Sequence, residues 1–308
     1  MAERTFALAA TPPFRLDLTA LALRRRPNNG IDGWDGTTYE RTLELGGVAV
    51  GLAAVQVAPP ARPRIEVTVR GADLDDGAEA AARAALGRLL GLDLDLAGFY
   101  ATVAGDPLLG PLAERFAGVK PPRFPTLFEC LVNAIACQQL TLTVGITLLS
   151  RLAAAHGAAV EASARHAFPA PDRLAELTPD QLRPLGFSGA KARSIVELAG
   201  AVAAGELDVE AIAAADDEAA VAALTDRRGI GRWSAEYALL RGLGRLHVFP
   251  GDDVGARNNL ARWLGVEGPL DYAGVRAAVA RYQPYAGLVY FHLLLAGIDP
   301  APTGEETA

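Results

Sequence analysis

At 308 residues the chain is long enough for two domains with sizeable cores, and 51% hydrophobic residues place it outside the composition of disordered chains. A net charge of −7 argues against a protein that coats nucleic acid, whose nonspecific affinity comes largely from neutralising phosphates. Two cysteines and four histidines, none at metal-ligand spacing, argue against structural zinc and against a cysteine-bound iron–sulfur cluster.

The opening stretch MAERTFALAATPPFRLDL lacks the apolar core and cleavage pattern of a secretory signal, and no run approaches the ~20 apolar residues that span a bilayer. A cytoplasmic protein with no membrane partner is expected. Alternating or β-branched runs at 39–57 and 64–71, broken by Gly and Pro, predict strands, and DGAEAAARAALGRLLGL at 76–92 predicts an amphipathic helix with an acidic start. Residues 1–105 therefore read as an α+β domain with a small antiparallel sheet and one or two helices. The proline-rich joint GVKPPRFPT at 118–126 bars helix on both sides of its prolines.

From 106 to 300 the pattern is helical, and 301–308 reads as a flexible tail. Thr126 with Glu129 and Thr178 with Gln181 predict capping boxes, the second with Pro179 at its favoured first helical position. Cys130 and Cys137 lie on one face of an apolar helix about 10 Å apart along its axis, too far for a disulfide, and read as buried thiols. Further helices are predicted from Ser188 to about Ala204, Asp217 to Leu224, Trp233 to Gly242, Val254 to Leu264, Asp271 to Ala280 and Tyr285 to Leu295.

Between Leu224 and Arg262 seven arginines face four acids, a net basic stretch inside an acidic chain. In LTDRRGIGRW the glycines at 229 and 231 let the backbone turn tightly and leave the amides of the next helix start open to an anion such as phosphate. A plain helix C-cap followed by a new start fits a Gly-x-Gly of this length equally well. Asp252 and Asp253 follow 22 residues after the turn and open DVGARNNLARWLG. One acid there is explained by capping; a second repels it and asks for another role.

These segments, with FECLVNAIACQQLTLTVGITLLSRL (128–152) and LRPLGFSGAKARSIVELAGAVAAGELD (182–208), resemble the helix-hairpin-helix DNA glycosylases, and within them the AlkA, or 3-methyladenine, type. The resemblance covers about 120–300, and more loosely the N-terminal region resembles the TATA-binding-protein-like sheet domain of those enzymes. It implies a mainly α fold, with the helix-hairpin-helix at 222–243, and a monofunctional glycosylase of base excision repair. Such an enzyme flips an alkylated purine out of double-stranded DNA and hydrolyses its N-glycosidic bond, leaving an abasic site. The resemblance makes Asp253 the catalytic acid and leaves capping to Asp252. Gly229, Ile230, Gly231 and Arg232 would contact DNA. Trp233, Tyr237 and Gln138 would form the base pocket, although two aromatics at helical spacing also suit a core. Gln139 is expected as the wedge that fills the gap left by the flipped nucleotide, with Leu140 and Gln138 as rivals.

Trp233 stands where glycosylases with lyase activity carry a Schiff-base lysine, which opposes a bifunctional enzyme. No cofactor is expected beyond a monovalent cation on the carbonyls of Thr225, Arg227 and Gly229 when DNA is bound, and a monomer is expected. The chain departs from the AlkA pattern at Ala286, where an arginine is usual, and at Leu294, where an aromatic is usual. One pocket wall is thus more aliphatic, which keeps neutral lesions such as hypoxanthine or ethenoadenine open, with Tyr285, Tyr290 and His292 as candidate replacements. A noncatalytic DNA-binding protein that keeps the hairpin as a clamp is the alternative, and a retained Asp253 speaks against it.

Overall fold

The computed structural model describes residues 2–72, 74–161 and 163–298. The N-terminal strands β1 (Ala2–Ala9), β2 (Gly33–Trp34), β3 (Thr38–Leu45), β4 (Val48–Gln56) and β5 (Arg64–Gly71) form one antiparallel sheet in the order β1-β5-β4-β3-β2. The predicted run at 39–57 divides into β3 and β4 at Gly46 and Gly47, which both take positive φ. In β5, Ile65, Val67 and Val69 face inward while Arg64 and Glu66 face out, the period of two that a half-buried sheet requires. Against that inner face α1 (Leu16–Arg24) and α2 (Asp76–Leu90) bury Leu16, Ala20, Leu23, Leu86 and Leu89. Sequence reasoning missed β1, because an edge strand that buries only Phe6 carries almost no periodic signal.

The helical body holds two cores. One gathers α5 (Leu127–Cys137), α6 (Leu142–His156), α9 (Gly189–Ala203), α11 (Asp217–Thr225) and α12 (Arg232–Ala238) around Leu131, Ile135, Leu149, Ile195 and Leu224. The short helices α7 (Pro171–Ala175), α8 (Pro179–Leu182) and α10 (Val209–Ala214) flank it. The other joins α3 (Ala97–Val103) and α4 (Leu109–Arg115) to α13 (Val254–Leu264), α14 (Tyr272–Val279) and α15 (Ala286–Ile298). The expected boundary at 105/106 falls between α3 and α4, which pack together, so the break in packing lies nearer Leu92 and Leu96. The tail at 301–308 lies outside the described residues.

Two joints fix the sheet domain to this body. An apolar seam of Leu18, Ala22, Phe116, Leu240, Phe291 and Leu295 carries the end of α1 to α15. A polar one centres on Arg41, whose fully buried guanidinium binds Asp32 at 2.7 Å and Glu129 at 2.5 Å, with the Tyr39 hydroxyl also on Asp32. Burial opposes both carboxylates. At Asp32 it is overcome by Arg41 and Tyr39, which hold the pKa lowered, whereas at Glu129 burial prevails and the pKa is raised. This pairing corrects half of an expected cap: Thr126 Oγ1 accepts from the Glu129 amide, but the Glu129 side chain turns away to Arg41. The Thr178–Gln181 box forms as predicted.

Candidate active site

α11 ends at Thr225, and the chain reverses through Arg227–Gly231 before α12. Gly229 takes φ +79°, and a Cβ there would lie 2.4 Å from Ser194 Oγ; Gly231 is extended at φ −97° with open space around it. Only the first glycine is needed for the turn. The second leaves the outer face bare. Gly229→Ala should therefore cost about 1–3 kcal/mol of stability, whereas Gly231→Ala should stay within about 0.5 kcal/mol, as read by thermal unfolding. Ile230, expected to contact DNA, is instead 4% exposed and anchors the hairpin in the first core, and its amide donates to the Arg227 carbonyl.

After α12 the chain makes a π-helical turn over Leu239–Leu243, where a continuous α-helix to Gly242 was expected, and a loop then returns to the start of α13. Glu236, buried on α12, holds that loop by accepting from the Gly251 amide at 3.0 Å and from the Tyr272 hydroxyl at 2.5 Å; burial raises its pKa. The two aspartates then divide their work, and not as expected. Asp253 itself caps α13, its Oδ1 accepting from the Ala256 amide at 2.8 Å, while Oδ2 accepts from Trp233 Nε1 at 3.1 Å and the Tyr290 hydroxyl at 3.4 Å. Among the described residues Asp252 caps no helix and instead binds Arg232, which lies 4.0 Å over the Tyr272 ring. Asp253 alone thus caps the helix while its second oxygen is held by two aromatic side chains.

Asp253 opens onto a cleft of about 430 Å³, within the usual range for small-molecule sites. Trp233 and Tyr237 form an aromatic wall with ring centroids 5.6 Å apart, and Tyr290, Leu293 and Leu294 face them. Burial raises the Tyr290 pKa well above its ordinary value, and the charge of Asp253 adds to this. In a wider groove of about 610 Å³ beyond the hairpin Arg232 is paired with Asp252, Tyr272 with Glu236 and His247 with Asp217.

At the lip Gln139 and Leu140 are exposed, Leu140 by 43%, and Gln139 takes φ +54°, a backbone state costly for a residue with a side chain. Gln138 does not line the cleft. Its Nε2 donates to the Gly229 carbonyl at 2.7 Å and to Ser234 Oγ at 2.9 Å, so it ties the lip to the hairpin. Of the three carbonyls expected to hold a cation, Gly229 accepts from Gln138 Nε2 and Arg227 from the Ile230 amide.

Two family models match the chain. The HhH-GPD superfamily base excision DNA repair protein model matches residues 132–283, and the AlkA N-terminal domain model matches 5–125. The chain carries an HhH-GPD domain preceded by an AlkA N-terminal domain. It is 36% identical over 166 residues to the DNA-3-methyladenine glycosylase of Bacillus subtilis (strain 168), covering 53% of this chain and 55% of that one. To DNA-3-methyladenine glycosylase 2 of Escherichia coli (strain K12) it is 30% identical over 186 residues, covering 60% and 63%. The matches thus span less than two thirds of these curated relatives. A solved 3-methyladenine DNA-glycosylase from Archaeoglobus fulgidus superposes with a TM-score of 0.81 at 27% identity, covering 94% of this chain and 97% of that one.

Within this HhH-GPD fold several cleft residues escaped the sequence reading. Arg25 and Arg26 reach it from the end of α1, and Asn133, Cys137 and Asn259 also line it. Cys137, expected to be buried, is only half-buried, and burial still raises its pKa; both thiols are free. The only hint was the arginine run in ALRRRPNNG, which reads equally as a basic helix end. Among the three candidate replacements on or before α15, Tyr290 alone lines the cleft. Ala286 is fully buried in the second core, away from the lining, so only Leu294 alters a wall.

His292 sits beside Phe99 and Phe116, its Nδ1 donating to the Leu288 carbonyl at 2.7 Å, and burial lowers its pKa to about 4. Its ordinary pKa is 6.5, so between pH 6.5 and 4 the unfolded chain binds a proton that the folded one refuses. The stability it allows is complete above pH 6.5 and falls by about 3 kcal/mol as pH drops to 4. His292→Leu should flatten that part of the pH profile in urea unfolding.

Proposed function

We propose that the protein is a monofunctional DNA glycosylase that extrudes a damaged purine from duplex DNA and hydrolyses its N-glycosidic bond. The observation that carries this is the Asp253 carboxylate, fixed by three hydrogen bonds at the mouth of an aromatic-walled cleft, one helix and a loop from the glycine hairpin. A base stacked beside Trp233 would leave its sugar at that mouth, where the carboxylate stabilises the positive charge developing at C1′ and orients the attacking water. Gln139 and Leu140 stand at the lip to fill the vacated stack. Among the described residues lining the cleft there is no lysine, which supports hydrolysis without a Schiff base. The names of the relatives supply the substrate class, alkylated purines. Uncharged lesions are a second reading, favoured by Leu293 and Leu294 on one wall and by the guanidinium of Arg25.

The reading needs no cofactor and treats the protein as a cytoplasmic monomer, with a monovalent cation at the hairpin carbonyls when DNA is bound. Duplexes carrying one defined lesion each, incubated with the purified protein, give the test. Strand breaks are expected only after hot alkali. Breaks before alkali would contradict monofunctional action, and no breaks with any lesion would contradict the activity.

A further inference from the structure

In that account Arg25 bears only on the charge of the preferred lesion, yet it is the most buried charged side chain lining the cleft. It is the residue that ends α1, with φ +58° and its amide on the Leu21 carbonyl, and the apolar seam between α1 and α15 carries it to the floor of the site. Its side chain is 6% exposed and lines the cleft. Both hydrogen bonds it gives to described side chains leave from Nη1, to Asn133 Oδ1 and to the Tyr237 hydroxyl, each at 3.2 Å, and Nε is buried without a partner. The two N–H groups of Nη2 are left unclaimed among the described residues, on a planar donor fork that Asn133 and Tyr237 hold in place.

The surrounding charges add to this. Arg26 also lines the cleft, and Arg241 lies buried 5.9 Å from the Tyr237 ring, its Nε and Nη1 without a partner among the described residues. Against these stands one carboxylate of the lining, Asp253, with three donors already on it; Asp32 and Glu129, farther back, are both taken by Arg41, and Tyr39 also holds Asp32. The base-binding end of the cleft therefore carries excess positive charge and an idle donor.

We propose that Arg25 is the specificity-determining residue of the site, donating from Nη2 to an acceptor on the extruded base and selecting uncharged purine lesions over cationic N-alkylated ones. A carbonyl oxygen or unprotonated ring nitrogen within reach gains a charge-assisted hydrogen bond. A cationic base meets a fixed like charge in a poorly solvated space. The proposal rests on the glycosylase reading for its substrate, but not for its binding test.

Single-turnover release is measured from duplexes carrying hypoxanthine, 1,N6-ethenoadenine or 7-methylguanine, each rate divided by spontaneous loss of the same base. The wild-type enhancement should be larger for the two uncharged lesions. Arg25→Met should lower the hypoxanthine rate on the order of 10- to 100-fold and leave 7-methylguanine unchanged or faster. Arg25→Lys, which keeps the charge, should still discriminate against 7-methylguanine. Equal losses on all lesions would reduce Arg25 to a support for Tyr237 and overturn the proposal, as would a wild-type preference for the cation. If Arg25→Met does not fold, the wild-type and Arg25→Lys ratios decide. In an Asp253→Asn background, binding to hypoxanthine duplex relative to undamaged duplex should fall with Arg25→Met even if the wild type releases nothing. Unchanged relative binding there overturns the proposal separately from the activity.

Discussion

Asp253→Asn should slow base release by on the order of 10³-fold while duplex binding stays near the wild-type value. The substitution is close to isosteric, and asparagine caps a helix about as well as aspartate, so Oδ1 keeps the Ala256 amide and α13 keeps its start. What changes is the other end of the side chain. An NH₂ group in place of Oδ2 points a donor at Trp233 Nε1–H, and the charge that would face C1′ is gone. A modest loss of stability, about 1 kcal/mol, should accompany a very large loss of rate. That disproportion separates a chemical role from a structural one. Full activity in a folded variant would remove the proposed catalyst, and loss of duplex binding in parallel with rate would assign Asp253 to the frame of the hairpin instead.

The largest effect on stability should come from behind the cleft lining. Arg41→Met removes the only cation in direct contact with Asp32 and Glu129 among the described residues, and leaves two carboxyl groups, 6% and 7% exposed, without their partner. Breaking a buried ion network from one side costs about 3–5 kcal/mol, because the stranded charge remains desolvated. For a chain of this size that corresponds to a fall in Tm of roughly 10 °C. The triple variant Arg41→Met, Asp32→Asn, Glu129→Gln should recover a large part of the loss, since neutral side chains cost less to bury. If the single variant unfolds like the wild type, the Arg41 pairs do not hold the sheet to α5. Because that joint also sets where α1 ends, Arg41→Met should disturb the cleft through Arg25 as well.

What could be read in the sequence was local. The Gly-Ile-Gly turn in an Arg-rich stretch, Trp233 and Tyr237 four apart, and two acids opening α13 are all short-range patterns, and their resemblance to a known hairpin was enough to nominate a site. The division of labour between Asp252 and Asp253 was not legible. Which acid caps depends on where α13 begins to one residue, and the partners that decide it, Arg232 and Tyr290, lie 20 and 37 residues away. Gln138 was assigned to the pocket by its neighbours in sequence, but α5 ends there and its amide reaches back to Gly229, 91 residues on.

By itself the sequence determined the two-part architecture, the helix starts and the chemistry available at the hairpin, because hydrophobic period, caps and glycine conformations act over a few residues. Only the tertiary structure decided that the sheet domain takes part in the site. Arg25 stands 108 residues from Asn133 and 212 from Tyr237, and nothing along the chain marks it as different from Arg24 or Arg26. Its place follows from the packing of α1 on α15 and from the buried Arg41 pairs, which are contacts between distant segments that burial selects and local pattern does not encode.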